Sequence, residues 1–154
     1  MRLDGIHHVT AITADAQRNI GFYVGTLGLR LVKTTVNFDA PDMYHLYLGD
    51  ETGRPGSILT FFEIPGAAAG SAGPGMIHRV VLRVPDAEAL GEWERRLRAA
   101  GRPTEPLGDG LLTSDPEGLG IELRAAGGGE PALVAVGVQE RIAITGVEGV
   151  RVHS

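Results

Sequence analysis

The chain contains no cysteine among its 154 residues, and this absence limits its chemistry more than any other. Disulfide bonds, thiolate metal sites and cysteine nucleophiles are all excluded. Any metal site must therefore be built from histidine and carboxylate ligands, a donor set that suits zinc, iron(II), manganese or magnesium.

Basic charge, long hydrophobic runs and nucleotide-binding motifs are scarce as well. The 14 Lys and Arg residues face 19 Asp and Glu residues, which gives a net charge of −5 without a basic block, so we expect no nucleic-acid partner. The hydrophobic runs are too short to cross a bilayer, and no charged-then-apolar leader opens the chain. We therefore expect no membrane partner and a cytoplasmic protein. Neither a phosphate-binding loop nor a Gly-x-Ser-x-Gly elbow is present, which argues against a nucleotide site and a serine hydrolase.

A predicted strand over residues 5–13 is the first strong pattern, and it leads directly into a helix. Its β-branched residues alternate, so His8, Thr10 and Ile12 share one face of the strand. Asp15 is a typical helix N-cap, and apolar residues at helical spacing predict a helix over 16–27. A strand that carries a histidine and feeds a helix is a plausible place to hold a metal.

The order strand, helix and three strands occurs twice along the chain. The first copy continues after its helix with strands over 29–38, 43–48 and 57–64 and a turn at 39–42. The second copy has a strand over 77–84, a helix over 87–100, and strands around 102–105, 111–114 and 119–125. A repeat of this size argues for an internal duplication in which neither half closes a core alone.

We therefore predict an α+β fold of two tandem βαβββ modules that form a curved mixed sheet with the helices outside. Residues 1–64 make the first module, 65–75 a Gly- and Ala-rich linker, 76–126 the second module and 127–154 a tail. An open sheet of eight strands with a dangling tail leaves edges and apolar residues that need cover. We expect a homodimer in which the tail packs on the partner, with these tail residues covered: Leu133, Val134, Val136, Val138, Ile142 and Ile144.

The first strand with its Asp-started helix and the segment Asp-Pro-Glu-Gly-Leu-Gly-Ile-Glu-Leu at 115–123 resemble the vicinal oxygen chelate superfamily. Its members include glyoxalase I, extradiol dioxygenases, and bleomycin- and fosfomycin-resistance proteins. The resemblance covers residues 5–125. Segments 5–13, 44–47 and 55–62 are similar to ring-cleaving dioxygenases that act on hydroquinones, which have four modules, and the tail resembles the start of a third module.

This resemblance implies a metal-dependent dioxygenase that cleaves a small aromatic diol with Fe(II) or Mn(II). Each module of the superfamily can offer a first-strand histidine and a last-strand glutamate, positions that His8 and Glu122 match. Thr10, on the face of His8, could contact substrate or bound water. His45 could be a hydrogen-bond donor near the site or a surface strand residue. Thr60 stands where glyoxalase I would have a glutamate.

His78 is a further candidate ligand, but its register does not match. Counting seven residues back from the helix-starting Asp86 reaches Arg79, whereas the same count from Asp15 reaches His8. A slip of one residue turns a strand side chain to the other face, so His78 could be a ligand only if a bulge shifts the register. Without such a bulge, Arg79 faces inward, where it could pair with Glu122 or bind an anionic substrate.

The number of matched metal ligands is consistent with three hypotheses about the function. Two matched ligands are too few for a well-defined metal centre, so we expect the metal site of this chain to be incomplete. In the longer dioxygenases that the chain resembles, the fourth module supplies the remaining ligands. One alternative is a metal-free module that binds a small molecule such as a drug. A second is a glyoxalase-like isomerase or lyase, and the residues Thr60 and Arg79 argue against it. Aromatic residues of the first module favour the binding module: Phe22, Tyr23, Phe38, Tyr44, Tyr47, Phe61 and Phe62.

Overall fold

The first predicted module folds as strand, helix and three strands in a computed structural model that describes residues 5–37, 40–127 and 137–154. Asp15 caps the helix by accepting a hydrogen bond from the backbone N–H of Arg18 at 3.0 Å. The elements are β1 (His8–Thr13), α1 (Ala16–Ile20), a π-helical segment (Gly21–Thr26), β2 (Arg30–Asn37), β3 (Ala40–Gly49) and β4 (Ile58–Glu63).

The second module repeats this order and starts its helix in the same way. The carboxylate of Asp86 accepts a hydrogen bond from the backbone N–H of Ala89 at 2.9 Å. The elements are β5 (Ile77–Val84), α2 (Ala87–Ala99), β6 (Glu105–Leu107), β7 (Gly110–Ser114) and β8 (Gly120–Ala125), followed by a 3₁₀ turn (Glu140–Ile142) and β9 (Gly146–Val152).

Both modules order their strands identically, which confirms the α+β fold with two βαβββ modules. The first sheet runs β1-β4-β3-β2 and the second runs β6-β7-β8-β5-β9, so that in each module the first and last strands pair side by side. Both of these pairs are parallel. The structure differs from the single curved sheet of the prediction because it has two mixed sheets of four and five strands.

Three local boundaries also differ from the prediction. The helix predicted over 16–27 widens into π-helical geometry after Ile20, where Gly21 and Gly25 weaken the α-helical preference. The predicted turn over 39–42 is wrong for residues 40–42, which extend β3, while Asp39 lies outside the described residues. Strand β6 begins at Glu105 because the helix end still bonds the backbone N–H of Arg102 to the carbonyl of Leu97 at 2.9 Å.

The described part of the tail packs on its own chain, so the expectation of a dangling tail is wrong there. Strand β9 pairs antiparallel with β5. Ahead of it, Trp93 of α2 donates a hydrogen bond from Nε1 to the carbonyl of Ile142 at 2.7 Å, and Val138, Ile142 and Ile144 are buried. The tail's apolar residues therefore cover the second module itself. Leu133, Val134 and Val136 lie outside the described residues.

The two modules share one hydrophobic core, and polar bonds fix their relative position. The hydroxyl of the buried Tyr23 donates to the carboxylate of Asp115 at 3.0 Å. Glu117 accepts bonds from the backbone N–H of Ala14 at 2.7 Å and from the hydroxyl of Thr13 at 2.5 Å. The turn before β8 thus holds the end of β1. Within the described ranges, no helix has the length and apolar character that a membrane crossing requires.

Candidate functional site

The face of the first sheet that points away from its helix is open. Along β1, Val9 and Thr13 are buried, while His8, Thr10 and Ile12 are exposed, which confirms that these three share a face. Ile12 is 59% exposed, an unusual setting for a residue of this type. We call the side of β1, β3 and β4 that carries His8, Thr10, Ile12, His45, Tyr47 and Phe62 the open face.

Two hydroxyls meet beside His8 on this open face. The Oγ1 atoms of Thr10 and Thr60 lie 2.8 Å apart, since these residues face each other in the parallel β1–β4 pair. Thr60 is buried whereas Thr10 is exposed, so Thr10 presents its hydroxyl to whatever occupies the face. This position suits the predicted contact of Thr10 with substrate or water, a role that stays a prediction.

His7 contacts His8 directly, which sequence reasoning missed. Their Nδ1 atoms lie 3.0 Å apart, and their rings meet edge to face with centroids 5.2 Å apart. A hydrogen bond between two imidazole nitrogens requires one to donate and the other to accept. Strict alternation along the predicted strand 5–13 would place His7 on the face opposite His8. Because β1 begins only at His8, this alternation does not apply to His7.

His45 lies within an aromatic cluster on the same face. Its ring stacks on Phe62 at a centroid distance of 3.9 Å and packs against Tyr47 at 4.3 Å. Its Nε2 atom is buried and has no hydrogen-bond partner among the described residues. Burial lowers the pKa of His45 first, and His8 and Lys33 lower it further. A neutral imidazole with an unused nitrogen can donate to or accept from a bound molecule.

Glu122 lies in the second module and is held by two arginines. It is buried, its Oε2 accepts from Nη1 of Arg79 at 3.1 Å, and its Oε1 accepts from Nη2 of Arg151 at 2.8 Å. The Arg151 bond is the main reason that the pKa of Glu122 lies below its ordinary value, with burial opposing and Arg79 adding to the shift. The expected inward position of Arg79 beside Glu122 is therefore confirmed.

His78 lies away from this ion cluster. Its ring stacks on that of His153 with centroids 4.0 Å apart and 26° between the planes. The β5–β9 pairing is irregular between Ile77 and Arg79, yet the β5–β8 register runs without a shift from Arg79 onward. The pairing is thus irregular only towards β9, and there His78 stacks on His153. The role of His78 as a metal ligand stays a prediction.

The three sequence-predicted ligands do not form one metal site by themselves. Among residues 5–37, 40–127 and 137–154, no group of three His, Asp or Glu side chains could hold a metal ion. His8 belongs to the first sheet, whereas Glu122 and His78 belong to the second. The donor set of the described chain therefore does not fit a self-contained divalent-metal centre.

A cleft of 460 Å³ lies elsewhere, between the loop before β4 and the start of β9. Its charged residues are already paired, because Arg54 Nε lies 2.6 Å from a carboxylate oxygen of Asp50 and Arg83 Nε lies 3.0 Å from one of Glu148. None of the predicted site residues is among those that line this cleft. The open face is therefore the stronger candidate site.

Known proteins share both the sequence and the fold of this chain. MhqA of Bacillus subtilis, whose name is "Putative ring-cleaving dioxygenase", is 46% identical over 147 residues, which are 85% of this chain and 46% of MhqA. The chlorohydroquinone/hydroquinone 1,2-dioxygenase of Sphingobium indicum is 41% identical over 98 residues, which are 62% of this chain and 30% of the enzyme. The chain thus spans about half or less of the length of these curated relatives.

Solved structures of related proteins share the fold of this chain. A Bacillus subtilis dioxygenase structure, itself named as putative, superimposes with a TM-score of 0.88 at 42% identity, over 96% of this chain and 49% of that one. Glyoxalase I of Leishmania major superimposes with a TM-score of 0.65 at 20% identity, over 80% of this chain and 88% of that one, which shows a shared fold alone. The model of the Glyoxalase/Bleomycin resistance protein/Dioxygenase superfamily matches residues 5–123, and the chain therefore belongs to that superfamily.

Proposed function

We propose that this chain is the first half of a ring-cleaving dioxygenase that acts on a small aromatic diol. The observation that carries the proposal is the open face, where the exposed His8 and Thr10 share one side of a sheet with the aromatic cluster around His45. Identities of 41% and 46% to proteins named for ring cleavage support it.

The chemistry of the open face suits such a substrate. The rings of Phe62, His45 and Tyr47 offer flat surfaces against which an aromatic ring can pack. Lys33 places its Nζ 5.7 Å from the centroid of the Tyr47 ring, so a positive charge lies beside the same face. That charge would favour the ionised form of a phenolic hydroxyl.

The proposed cofactor is a divalent metal, Fe(II) or Mn(II), with His8 as one ligand. Because the described residues do not complete a metal site, we propose that the other ligands come from a further segment of a longer protein. The relative MhqA is about twice as long as the part that this chain matches, which is consistent with such a segment. Glu122 and His78 remain predictions that the geometry of the second module does not support.

Mn(II) titration of the chain, followed by electron paramagnetic resonance, tests the role of His8. We expect weak binding that His8→Ala weakens by at least about 10-fold, the usual cost of disturbing a metal's ligand shell. His78→Ala is the matched control and should leave the affinity unchanged. Equal losses in the two variants would contradict the assignment of His8.

A chimera that joins this chain to the second half of MhqA tests ring cleavage. Oxygen uptake with hydroquinone should appear in the chimera and disappear with His8→Ala. His45→Phe should raise the KM for hydroquinone, because the phenyl ring keeps the stack and removes the nitrogen. A chimera that folds and binds metal but consumes no oxygen with any small diol would refute the proposal.

A metal-free binding module is the second candidate. Two observations favour it: the unpartnered Nε2 of His45 within an aromatic cluster, and the lack of a three-ligand group among the described residues. Tight hydroquinone binding by the metal-free chain, unchanged by His8→Ala, would decide for this alternative.

A homodimer and a cytoplasmic location also remain proposals. Apolar side chains support dimerisation, since Ile12, Val36 and Tyr44 of the first module are 59%, 55% and 48% exposed. Light scattering that shows a monomer at every concentration would refute the dimer.

A further inference from the structure

The strand register shows which positions of the two modules are equivalent. The first residue pair of the β1–β4 ladder includes His8, and the first pair of the β5–β8 ladder includes Arg79. Two residues further along the last strands lie Thr60 and Glu122. Arg79 and Glu122 therefore occupy, in the second module, the places that His8 and Thr60 occupy in the first.

The carboxylate of Glu122 accepts three hydrogen bonds from cationic donors at this position. Nη2 and Nε of Arg151 approach its two oxygens at 2.8 and 3.2 Å as a fork, and Nη1 of Arg79 adds a bond at 3.1 Å. The side chain of Glu122 is 3% exposed, whereas that of Arg151 is 43% exposed. Such forked, charge-assisted bonds are among the strongest that a carboxylate makes.

Arg151 belongs to β9, whose outer end is also held by backbone hydrogen bonds. The N–H of His153 donates to the carbonyl of Met76 at 3.1 Å, and the N–H of Gly75 donates to the carbonyl of His153 at 2.8 Å. Val147 at the inner end is buried, but Val152 at the outer end is 50% exposed. The β5–β9 pairing is irregular at two places, between Ile77 and Arg79 and between Val81 and Leu82. The fork from Arg151 to Glu122 adds a charged side-chain attachment to these backbone bonds of the outer half of the strand.

A divalent cation does not fit the same place. The two guanidinium groups and one carboxylate sum to a charge of +1, which repels a second cation at this short range. The imidazole next to Arg79 in the sequence, His78, is stacked on His153. We infer that Glu122 is a docking site for the strand 146–152, and that the second module uses its carboxylate position to bind this arginine-bearing strand instead of a metal.

Hydrogen exchange of the full chain, read by mass spectrometry, tests this inference. In Arg151→Ala, exchange across residues 146–152 should accelerate by roughly 10- to 100-fold, as expected for loss of hydrogen bonds between charged groups. Exchange in β2–β4 should not change. Arg124→Ala is the matched control because Arg124 pairs with Asp109 at 3.1 Å on the same sheet but in an exposed setting. This control should leave strand 146–152 protected.

A double-mutant cycle and a metal titration complete the test. Glu122→Gln should add little to the exchange of 146–152 once Arg151 is alanine, because the two residues act as one contact. Glu122→Gln should also leave Mn(II) affinity unchanged. Unaltered exchange in Arg151→Ala, or Mn(II) binding that Glu122→Gln abolishes, would overturn the inference, and the first of these readouts does not require the Glu122 variant to fold.

Discussion

The two modules use the same plan on their helix side and differ on the opposite side. Asp15 and Asp86 cap equivalent helices, and seven residues later Phe22 and Trp93 are both buried in the shared core. On the other side the first module leaves the exposed His8 uncovered by any described segment. In the second module, strand β9 pairs along the edge of β5 that faces away from β8, and its Arg151 lies next to the equivalent position, Arg79.

This difference shows which constraints the duplication preserved. The helix side must fill one core between the modules, so its apolar positions and caps remain alike in both copies. The other side carries no such requirement, so the same two strand positions hold a histidine with a threonine in one module and an ion pair in the other. One copy therefore leaves these positions on an exposed strand, whereas the other uses them to bind its own chain.

The largest expected effect tests whether the core is truly shared. Phe22→Ala and Trp93→Ala should each lower the free energy of unfolding by about 3–5 kcal/mol, the usual cost of truncating a buried aromatic residue. Because one core spans both modules, each variant should still unfold in a single transition at a lower temperature. Differential scanning calorimetry would contradict the shared core if only one of two separate transitions shifted.

The turns before the last strands offer a second comparison. Oδ1 of Asp50 accepts from the backbone N–H groups of Thr52 and Arg54, both at 3.0 Å. Oδ1 of Asp115 accepts in the same way from two backbone N–H groups of its own turn. The other oxygen differs, because Asp50 binds Nε of Arg54 at 2.6 Å whereas Asp115 accepts from the hydroxyl of Tyr23.

Acid should therefore weaken the first turn through Asp50. Burial opposes ionisation of this carboxyl, but hydrogen bonds from Arg54 and Thr52 outweigh it and lower its pKa from 3.8 to about 2. A lowered pKa stabilises the fold above the ordinary value, and this contribution is lost as pH falls from about 4 towards 2, for a total of about 2 kcal/mol. Urea unfolding of Asp50→Asn should show the full deficit at pH 5 and only a small part of it at pH 2, where the wild-type carboxyl is about half protonated. An equal deficit at both values would rule out the charge as its cause.

Local sequence patterns were enough to predict the duplicated fold. Alternating residues and an Asp cap located β1 and β5 with their helices, and the equal count from Asp15 and Asp86 identified His8 and Arg79 as equivalent positions. These features depend on neighbours within a few residues, which is why the sequence alone reveals them.

Apart from the pairing of Arg79 with Glu122, the contacts between distant strands could not be predicted in this way. Arg151 lies 29 residues from Glu122, and in the sequence it looks like any charged residue of a tail. The stack of His45 on Phe62 depends on the β3–β4 register, and no local pattern states that register. The Arg151–Glu122 contact in the second module and the aromatic cluster of the open face thus both follow from strand pairings that only the structure shows.

The smallest expected effect on stability concerns Ile12, and it tests whether this residue of the open face serves binding or folding. Ile12→Thr should change the free energy of unfolding by less than about 0.5 kcal/mol, because this side chain is largely exposed. Val9→Thr is the matched control three residues earlier on the same strand, and it should cost more since Val9 is buried and its new hydroxyl would lack a partner. An apolar residue that adds little to folding, yet lies opposite Phe62 on the same face as His8, suits contact with a ligand or a covering segment. Titration with hydroquinone should therefore show weaker binding in Ile12→Thr at unchanged stability, whereas a large loss of stability would make Ile12 part of the core.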